Sequence, residues 1–248
     1  MFKIREEIPH WKAPLFGALC IAVCLAAWWF VTRGEAEERI LSPLVLTSPA
    51  ETLETFHSLW FERALTRNFT ASLLRVCLGF ALAAAIGVPI GVLCGCFPRV
   101  DAFILPLTLF GRNAPLAAVI PLTFALFGIG ETQKILFIFI ACVAFVISDS
   151  AQAVKDVGGQ YIDTAYTLGA SCRQVILKVL FPLALPSIFN SLRLLFGIAF
   201  GYIMLVESIQ LEGEAGGLGQ IINMSQRRGP KAHTILVLLL IPVIAYGI

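Results

Sequence analysis

The residues of this chain that could do chemistry are a few charged and polar side chains set inside long apolar runs. Arg112 and Asn113, followed by Pro115, interrupt one such run near its middle. A guanidinium beside a carboxamide can bind an anionic head group through charge-assisted hydrogen bonds. Polar groups at membrane depth usually face the protein interior or water, and interrupted helices often hold a solute. These residues predict a surface that binds a small anion; the alternative is a structural arginine satisfied by helix carbonyls.

Three further ionisable residues lie in or at the ends of apolar runs. Arg75 lies near the start of its run, so we expect its guanidinium to reach the membrane–water interface. Arg193 lies well inside another run, where an isolated charge is costly. We expect it to pair with an acid on another helix; the alternative is a contact with the ATPase-facing gate. Glu207 follows the last apolar residue of the same run. It predicts either part of an outer gate or a solvated residue at a helix end.

No catalytic or metal-binding arrangement emerges from the sequence. The histidines, His10, His57 and His233, are far apart, and no Ser/His/Asp set, phosphate-binding loop or dinucleotide fingerprint is present. A net charge of +2 gives no case for a nucleic-acid partner. We therefore expect a protein without catalytic chemistry of its own, without metal and without a bound cofactor.

Composition favours a membrane protein. The chain is 58% hydrophobic and only 14% charged, whereas soluble domains carry roughly a quarter charged residues. A helix needs about 20 apolar residues to span a bilayer. The sequence predicts an all-α, polytopic membrane protein with about six transmembrane helices at 14–31, 71–97, 102–127, 135–151, 183–206 and 235–248.

One membrane domain covers nearly the whole chain. We expect residues 1–13 to form a cytoplasmic N-terminal segment and residues 14–248 to form one transmembrane domain. The last run ends without a polar flank, which favours a natural chain that continues past Ile248. Residues 50–65 carry apolar side chains at near-helical spacing and predict an amphipathic helix, lying either on the membrane or on the protein's own surface.

The second predicted span carries three glycines at four-residue spacing, Gly87, Gly91 and Gly95. Two overlapping GxxxG units lie on one face of a helix and allow another helix to approach closely. They predict either intramolecular packing or a dimer seam.

The loop at 152–182 contains a helix, a glycine break and a second helix. Asp163 to Leu168 can form a short helix with the acidic residue at its N-terminus. Gly169 can take the left-handed conformation that ends this helix. A second helix restarts at Ala170, and Pro182 suits the first turn of the next membrane helix. The pattern predicts a bent lever beside the membrane.

The same loop resembles the EAA loop of ABC-importer permeases, whose pattern is Glu-Ala-Ala, three residues, Gly, nine residues, Ile-x-Leu-Pro. Asp163, Ala165, Gly169, Val179 and Pro182 fall on the positions of this pattern. The departures from it are Asp at 163, Thr at 164, Val at 179 and Phe at 181. From roughly residue 43 to the end, the chain is similar to the nitrate/sulfonate/taurine-type branch of these permeases, in the segments 71–75, 87–91, 127–131, 166–171, 181–186, 191–193 and 217–219.

The resemblance implies a type I ABC importer fold with a cytoplasmic coupling helix that docks on an ATPase. The residues implied in this coupling are Asp163, Ala165, Leu168, Gly169, Ala170, Ser171 and Pro182. Family members work in the bacterial inner membrane as a dimer of permeases, with two cytoplasmic ATPase subunits that bind ATP and Mg. A periplasmic or lipid-anchored binding protein delivers the solute.

We therefore expect a homodimeric permease, surrounded by membrane lipid, that moves a nitrate-, sulfonate- or taurine-like anion or zwitterion by alternating access. Charge in the loops does not settle the orientation, so the coupling loop defines the cytoplasmic side. The alternative is a secondary transporter or channel that needs no ATPase. It would be favoured by paired intramembrane acids and an internal repeat.

Overall fold

The structure is a computed structural model that describes residues 9, 12–35, 39–43, 45–61, 64–209, 216–228 and 231–247. The described part is helical and contains no strand, which confirms the all-α prediction. Most of the predicted N-terminal segment, residues 1–8, 10 and 11, lies outside the described residues, as does Ile248. In chain order the helices are α1 (Lys12–Thr32), α2 (Pro49–Glu54), α3 (Phe56–Phe61), α4 (Leu65–Cys96), α5 (Pro98–Asn113), α6 (Leu116–Phe127), α7 (Glu131–Lys155), α8 (Gly159–Thr167), α9 (Cys172–Val175), a π-helical turn (Ile176–Leu180), α10 (Phe181–Ser208), α11 (Leu218–Arg228) and α12 (Lys231–Gly247).

Among the described residues, four helices are long and apolar enough to cross a membrane. They are α1, α4, α7 and the continuous helix Cys172–Ser208. A fifth span exists if α5 and α6 are counted together, although the two are bent by 104°. The apolar part of α12 is shorter, Lys231–Pro242. The structure therefore supports four or five spans and does not confirm the predicted six.

Helices α4 and α7 pack against each other along their length and point the same way. A Cβ on Gly79 would lie 2.6 Å from the carbonyl oxygen of Ile135, and one on Gly95 would lie 2.8 Å from that of Ala151. The early residues of one helix thus meet the early residues of the other. The glycine face is an intramolecular seam, and the dimer alternative for this face is wrong.

This parallel arrangement defines two ends of the molecule. The inner end holds the C-termini of α4 and α7 and the loop at 156–171, and it carries an ion pair of 2.7 Å between Lys155 Nζ and Asp101 Oδ2. The outer end holds the N-termini of α4 and α7 and the C-terminus of α10. Helix α5 starts at the inner end and α6 finishes at the outer end, so the bend between them falls between the two.

The core joins α4, α7 and α10. Val76, Phe137 and Ile203 are completely buried in its centre. The Phe196 ring packs edge-on against the ring of Phe80 on α4, with 5.3 Å between centroids. Such edge-to-face pairs add to the packing energy of the apolar surface alone. Helix α10 is thereby fixed against α4, and its opposite side remains uncovered.

The segment before α4 lies at the outer end and folds as two short helices rather than one. Ser48 caps α2 in a capping box with Glu51. Arg39 Nη2 donates to Glu51 Oε1 at 2.8 Å, and this bond, with the backbone N–H of Ser48, lowers the pKa of Glu51 to about 2. In α3, Leu59 is buried against the protein whereas Phe61 is exposed. This segment therefore packs on the protein through one face and leaves the other uncovered.

Candidate functional site

The coupling loop begins with α8, which starts earlier than the sequence predicts. The helix begins at Gly159, so Asp163 lies in its middle and the prediction of an N-terminal acid is wrong. Gly158 has an extended backbone that ends the preceding turn, and the chain becomes helical directly after it. Ala165 is buried against apolar residues at the inner end, among them Val154 of α7 and Ala184 of α10. Leu168, the C-cap, is 82% exposed. The helix therefore has one face on the membrane domain and an apolar tip in the open.

Gly169 ends α8 in the way that the sequence predicts. Its φ of +81° lies in the left-handed region that favours glycine. The N–H of Gly169 donates to the Tyr166 carbonyl at 2.9 Å, and the N–H of Ala170 donates to the Ala165 carbonyl at 3.0 Å. These two bonds form a Schellman motif, which satisfies the last carbonyls of the helix. The chain thus reverses at a fixed angle.

The second helix begins at Cys172 rather than at Ala170 as predicted, with Ser171 as its N-cap, and runs without a break into the membrane. The N–H of Ser171 donates to Gln174 Oε1 at 2.8 Å in a capping box. A π-helical turn follows, in which the Phe181 N–H bonds the Ile176 carbonyl five residues back. Pro182 lies in the first turn of α10, as the sequence predicts, although α10 continues directly from the π-helical turn. It has no N–H and would clash with the carbonyl four residues earlier, and the wider π turn accommodates it.

The bend between α5 and α6 lies near the middle of the membrane domain. A Cβ on Gly111 would lie 2.6 Å from Ala144 Cβ, about halfway along α7. Arg112 Nη1 donates to Ser148 Oγ at 2.5 Å, and Asn113 Nδ2 donates to the Leu109 carbonyl at 2.8 Å. The Arg112 guanidinium also lies 5.3 Å from the centroid of the Phe145 ring.

Pro115 precedes the first residue of α6 with an extended backbone, which makes the break. Arg112, Asn113 and Pro115 are exposed at the break. The structure therefore brings the predicted polar residues together at mid-depth on an open surface. The Arg112 side chain is at the same time held by Ser148 and Phe145 of the neighbouring helix α7.

An ionic cluster, which the sequence does not predict, ties the outer ends of four elements; Ser72, Arg75 and Glu207 are buried, and the Glu131 side chain is half exposed. Arg75 on α4 donates through Nη2 and Nε to the two carboxylate oxygens of Glu131 at 2.5 and 2.6 Å. Its Nη1 donates to Glu207 Oε1 at 2.6 Å and to the Gly216 carbonyl at 2.7 Å. Arg75 is only 2% exposed, so the prediction that it reaches the membrane interface is wrong. We call Arg75, Glu131, Glu207 and Ser72 the outer cluster.

Glu207 lies at the centre of the outer cluster and is completely buried. Ser72 Oγ donates to its carboxylate at 2.8 Å, and the N–H of Gly219 donates at 3.0 Å. A Cβ on Gly217 would come within 2.3 Å of the Glu207 carboxyl carbon, so only glycine fits there. The alternative of a solvated residue at a helix end is therefore wrong. The usable signal was the acid itself: an ionisable residue after a long apolar run needs a partner.

Arg193 lies on the uncovered side of α10. It makes no hydrogen bond or ion pair with any residue that the structure describes, so the expected partner on another helix is not found. Two concave regions of about 1010 and 460 Å³ meet at Arg193 and Asn190. Both residues lie in one apolar run of the sequence, and periodicity alone does not show which face of such a run is uncovered.

These features define a class of protein: a helical membrane protein with a glycine-hinged helix at one end, a broken span at mid-depth and an ionic cluster at the other end. Such an arrangement belongs to a multi-pass membrane transport component. In the described residues no group of His, Cys, Asp or Glu side chains is arranged to hold a metal ion.

Comparison with known proteins gives the family. Residues 87–248 match the family described as "Binding-protein-dependent transport system inner membrane component". The chain is 34% identical over 253 residues to the taurine transport system permease protein TauC of Escherichia coli (strain K12), covering 98% of this chain and 88% of that protein. It is 31% identical over 218 residues to SsuC of Bacillus subtilis (strain 168), which is named for aliphatic sulfonate transport, covering 88% and 75%.

The fold is also found among solved structures. The inward-facing MetNI methionine ABC transporter contains a chain that matches 77% of this chain and 93% of its own length, with a TM-score of 0.67 and 24% sequence identity. The chain thus belongs to the family of binding-protein-dependent transport system inner membrane components, and it is the transmembrane permease subunit of an ABC importer.

Proposed function

We propose that this permease imports a small sulfonate or a similar anion or zwitterion across the inner membrane. The names of its relatives, for taurine and aliphatic sulfonates, support this cargo class. In this proposal two copies of the chain form the pathway between them, and each docks on a cytoplasmic ATPase subunit that binds ATP and Mg. A periplasmic or lipid-anchored binding protein delivers the solute to the outer end.

The observation that carries the coupling part of the proposal is the exposed apolar tip of α8. Leu168 is 82% exposed, although it lies on a short helix whose other face is buried through Ala165. Exposed apolar surface on a rigid element is typical of a site for another protein. We assign the inner end to the cytoplasm for this reason, and we assign ATPase docking to the segment formed by Asp163, Ala165, Leu168, Gly169, Ala170 and Ser171, continued into the membrane through Pro182.

The bend between α5 and α6 supports a place in the pathway. Arg112 and Asn113 are exposed at mid-depth, and Pro115 holds the break between them and α6. Polar groups at this depth are stable when they face water or protein. In the proposal these residues form one wall of the pathway. Glu207 belongs to the outer gate, because the outer cluster joins the ends of α4, α7 and α10 with the start of α11.

The test is co-purification of the ATPase with Leu168→Asp. The affinity-tagged chain is solubilised from its native membrane, and the nucleotide-binding subunit recovered with it is quantified. We expect Leu168→Asp to reduce the recovered ATPase at least tenfold, because the substitution places a charge where an apolar contact is made.

The matched control is Ile40→Asp, which changes an apolar residue of similar exposure (69%) at the outer end. Ile40→Asp should leave recovery of the ATPase unchanged. Equal recovery with wild type and Leu168→Asp would refute docking through α8. Uptake of radiolabelled taurine by the same cells then tests the cargo class separately from docking.

A further inference from the structure

The uncovered face of α10 presents a guanidinium at mid-depth. Arg193 lies twelve residues after the start of α10 at Phe181 and fourteen before Glu207. At 1.5 Å per residue these separations are about 18 and 21 Å. Leu192, its neighbour in the chain, packs against the central core of α4, α7 and α10 and also against the apolar residues buried around Ala165 at the inner end. This turn of α10 therefore lies between the two.

Arg193 differs from Arg75 and Arg112 in having no hydrogen-bond or ion-pair partner among the described residues. Arg75 is neutralised by two carboxylates, and Arg112 donates to Ser148 and lies over Phe145. A charged side chain at mid-membrane is costly unless it faces a water-filled cavity or an opposite charge. The described residues supply no opposite charge to Arg193.

The surface around Arg193 is shaped to admit a small solute. The two concave regions on either side of it share Arg193 and Asn190, so a guanidinium and a carboxamide stand side by side on one turn. At Gly201, two turns further on, a Cβ would meet nothing within 4 Å, so this part of the groove is open. Tyr202 adds a phenolic group to the lining of the larger region.

We propose that Arg193 and Asn190 form an anion-binding step in the transport pathway, with Arg193 bonding the oxygens of a sulfonate, or of another small oxyanion, as it passes mid-depth. The proposal rests on the proposed function, because it names residues that would hold the cargo. A guanidinium presents several N–H groups in one plane and matches two oxygens of an oxyanion at once, while the Asn190 amide donates to a third.

The experiment measures which charged reagents reach this groove. The seven native cysteines are replaced, and Asn190→Cys is introduced into the full chain, expressed with its ATPase in native membranes. Reaction rates are compared for two water-soluble thiol reagents, the anionic 2-sulfonatoethyl and the cationic 2-(trimethylammonium)ethyl methanethiosulfonates. The same ratio is then measured in Asn190→Cys/Arg193→Gln and Asn190→Cys/Arg193→Lys. Ile86→Cys on α4, partly exposed and apolar, serves as the control.

We expect the anionic reagent to be favoured at position 190 and the preference to fall about tenfold with Arg193→Gln, because residues three apart on a helix are neighbours. Arg193→Lys should retain most of it, and the Ile86→Cys control should react slowly with both reagents. Absence of reaction at position 190 would show that the groove is dry and would overturn the proposal. An unchanged ratio after Arg193→Gln would overturn it as well. Co-purification of the ATPase with every variant separates these outcomes from a failure of the importer assembly.

Discussion

Removing Arg75 should destabilise the protein more than any other single arginine substitution in the described chain. Arg75→Ala deletes four hydrogen bonds and leaves Glu207, which is completely buried, without its positive partner. Removing one member of a buried ion pair costs about 3–5 kcal/mol, because the remaining charge stays desolvated. For a chain of this size each kcal/mol shifts the melting temperature by roughly 2–4 °C, so we expect a decrease of about 6–20 °C.

The assay is thermal unfolding of the detergent-solubilised chain, followed by size-exclusion chromatography with fluorescence detection. Arg67→Ala is the matched control, because Arg67 is an exposed arginine two turns earlier on the same helix. The double variant Arg75→Ala/Glu207→Gln removes both charges and should be more stable than the sum of Arg75→Ala and Glu207→Gln predicts. A melting temperature for Arg75→Ala within about 2 °C of the control, or strict additivity in the double variant, would refute the reasoning.

Three further predictions concern the glycine seam between α4 and α7, the turn at Gly169 and the ion pair between Arg39 and Glu51. Gly91→Val should lower the melting temperature clearly, because a Cβ there would lie 2.5 Å from the Ile147 carbonyl oxygen, whereas Gly201→Ala meets open space and should be neutral; thermal unfolding of both tests the seam. Gly169→Ala should cost about 1–2 kcal/mol of local stability, because the φ of +81° at this position is strained for any residue with a Cβ. The loss should appear as faster amide hydrogen exchange in α8. Exchange no faster than in wild type would contradict this expectation. The pKa of Glu51 is lowered from 4.5 to about 2. Its contribution to stability is therefore fully present above pH 4.5 and is lost as the pH falls towards 2. The difference in melting temperature between wild type and Glu51→Gln should shrink over the same pH range, and a constant difference from about pH 6 to about pH 2.5 would count against this reasoning.

Features encoded over a few residues were predictable from the sequence. Gly169 takes the left-handed conformation because only glycine does so at little cost, and the break at Asn113–Pro115 follows from proline's missing N–H. The glycine face of α4 was also recognised, although its partner helix was not. The start of α8 was misplaced because Gly158 and Gly159 carry no strong capping signal.

Features that depend on distant residues were not predictable. Arg75 meets Glu131 and Glu207, which lie 56 and 132 residues away in the chain, and no local pattern shows that pairing. Each of these residues alone is compatible with a solvated helix end. The π turn before Pro182 was missed for a related reason: a proline inside a helix and one at its start have the same local sequence.

The unbroken helix from Cys172 to Ser208 has a consequence for the timing of transport. Its 37 residues extend for about 55 Å, from the capping box beside α8 to the acid of the outer cluster, with Arg193 between them. A rigid rod of this length that tilts by about 5° moves its far end by roughly 5 Å. Nucleotide-driven movement of α8 would therefore shift the solute groove and strain the outer cluster in a single stroke. One side of the membrane would then open only as the other closes, without a separate signal between the two gates.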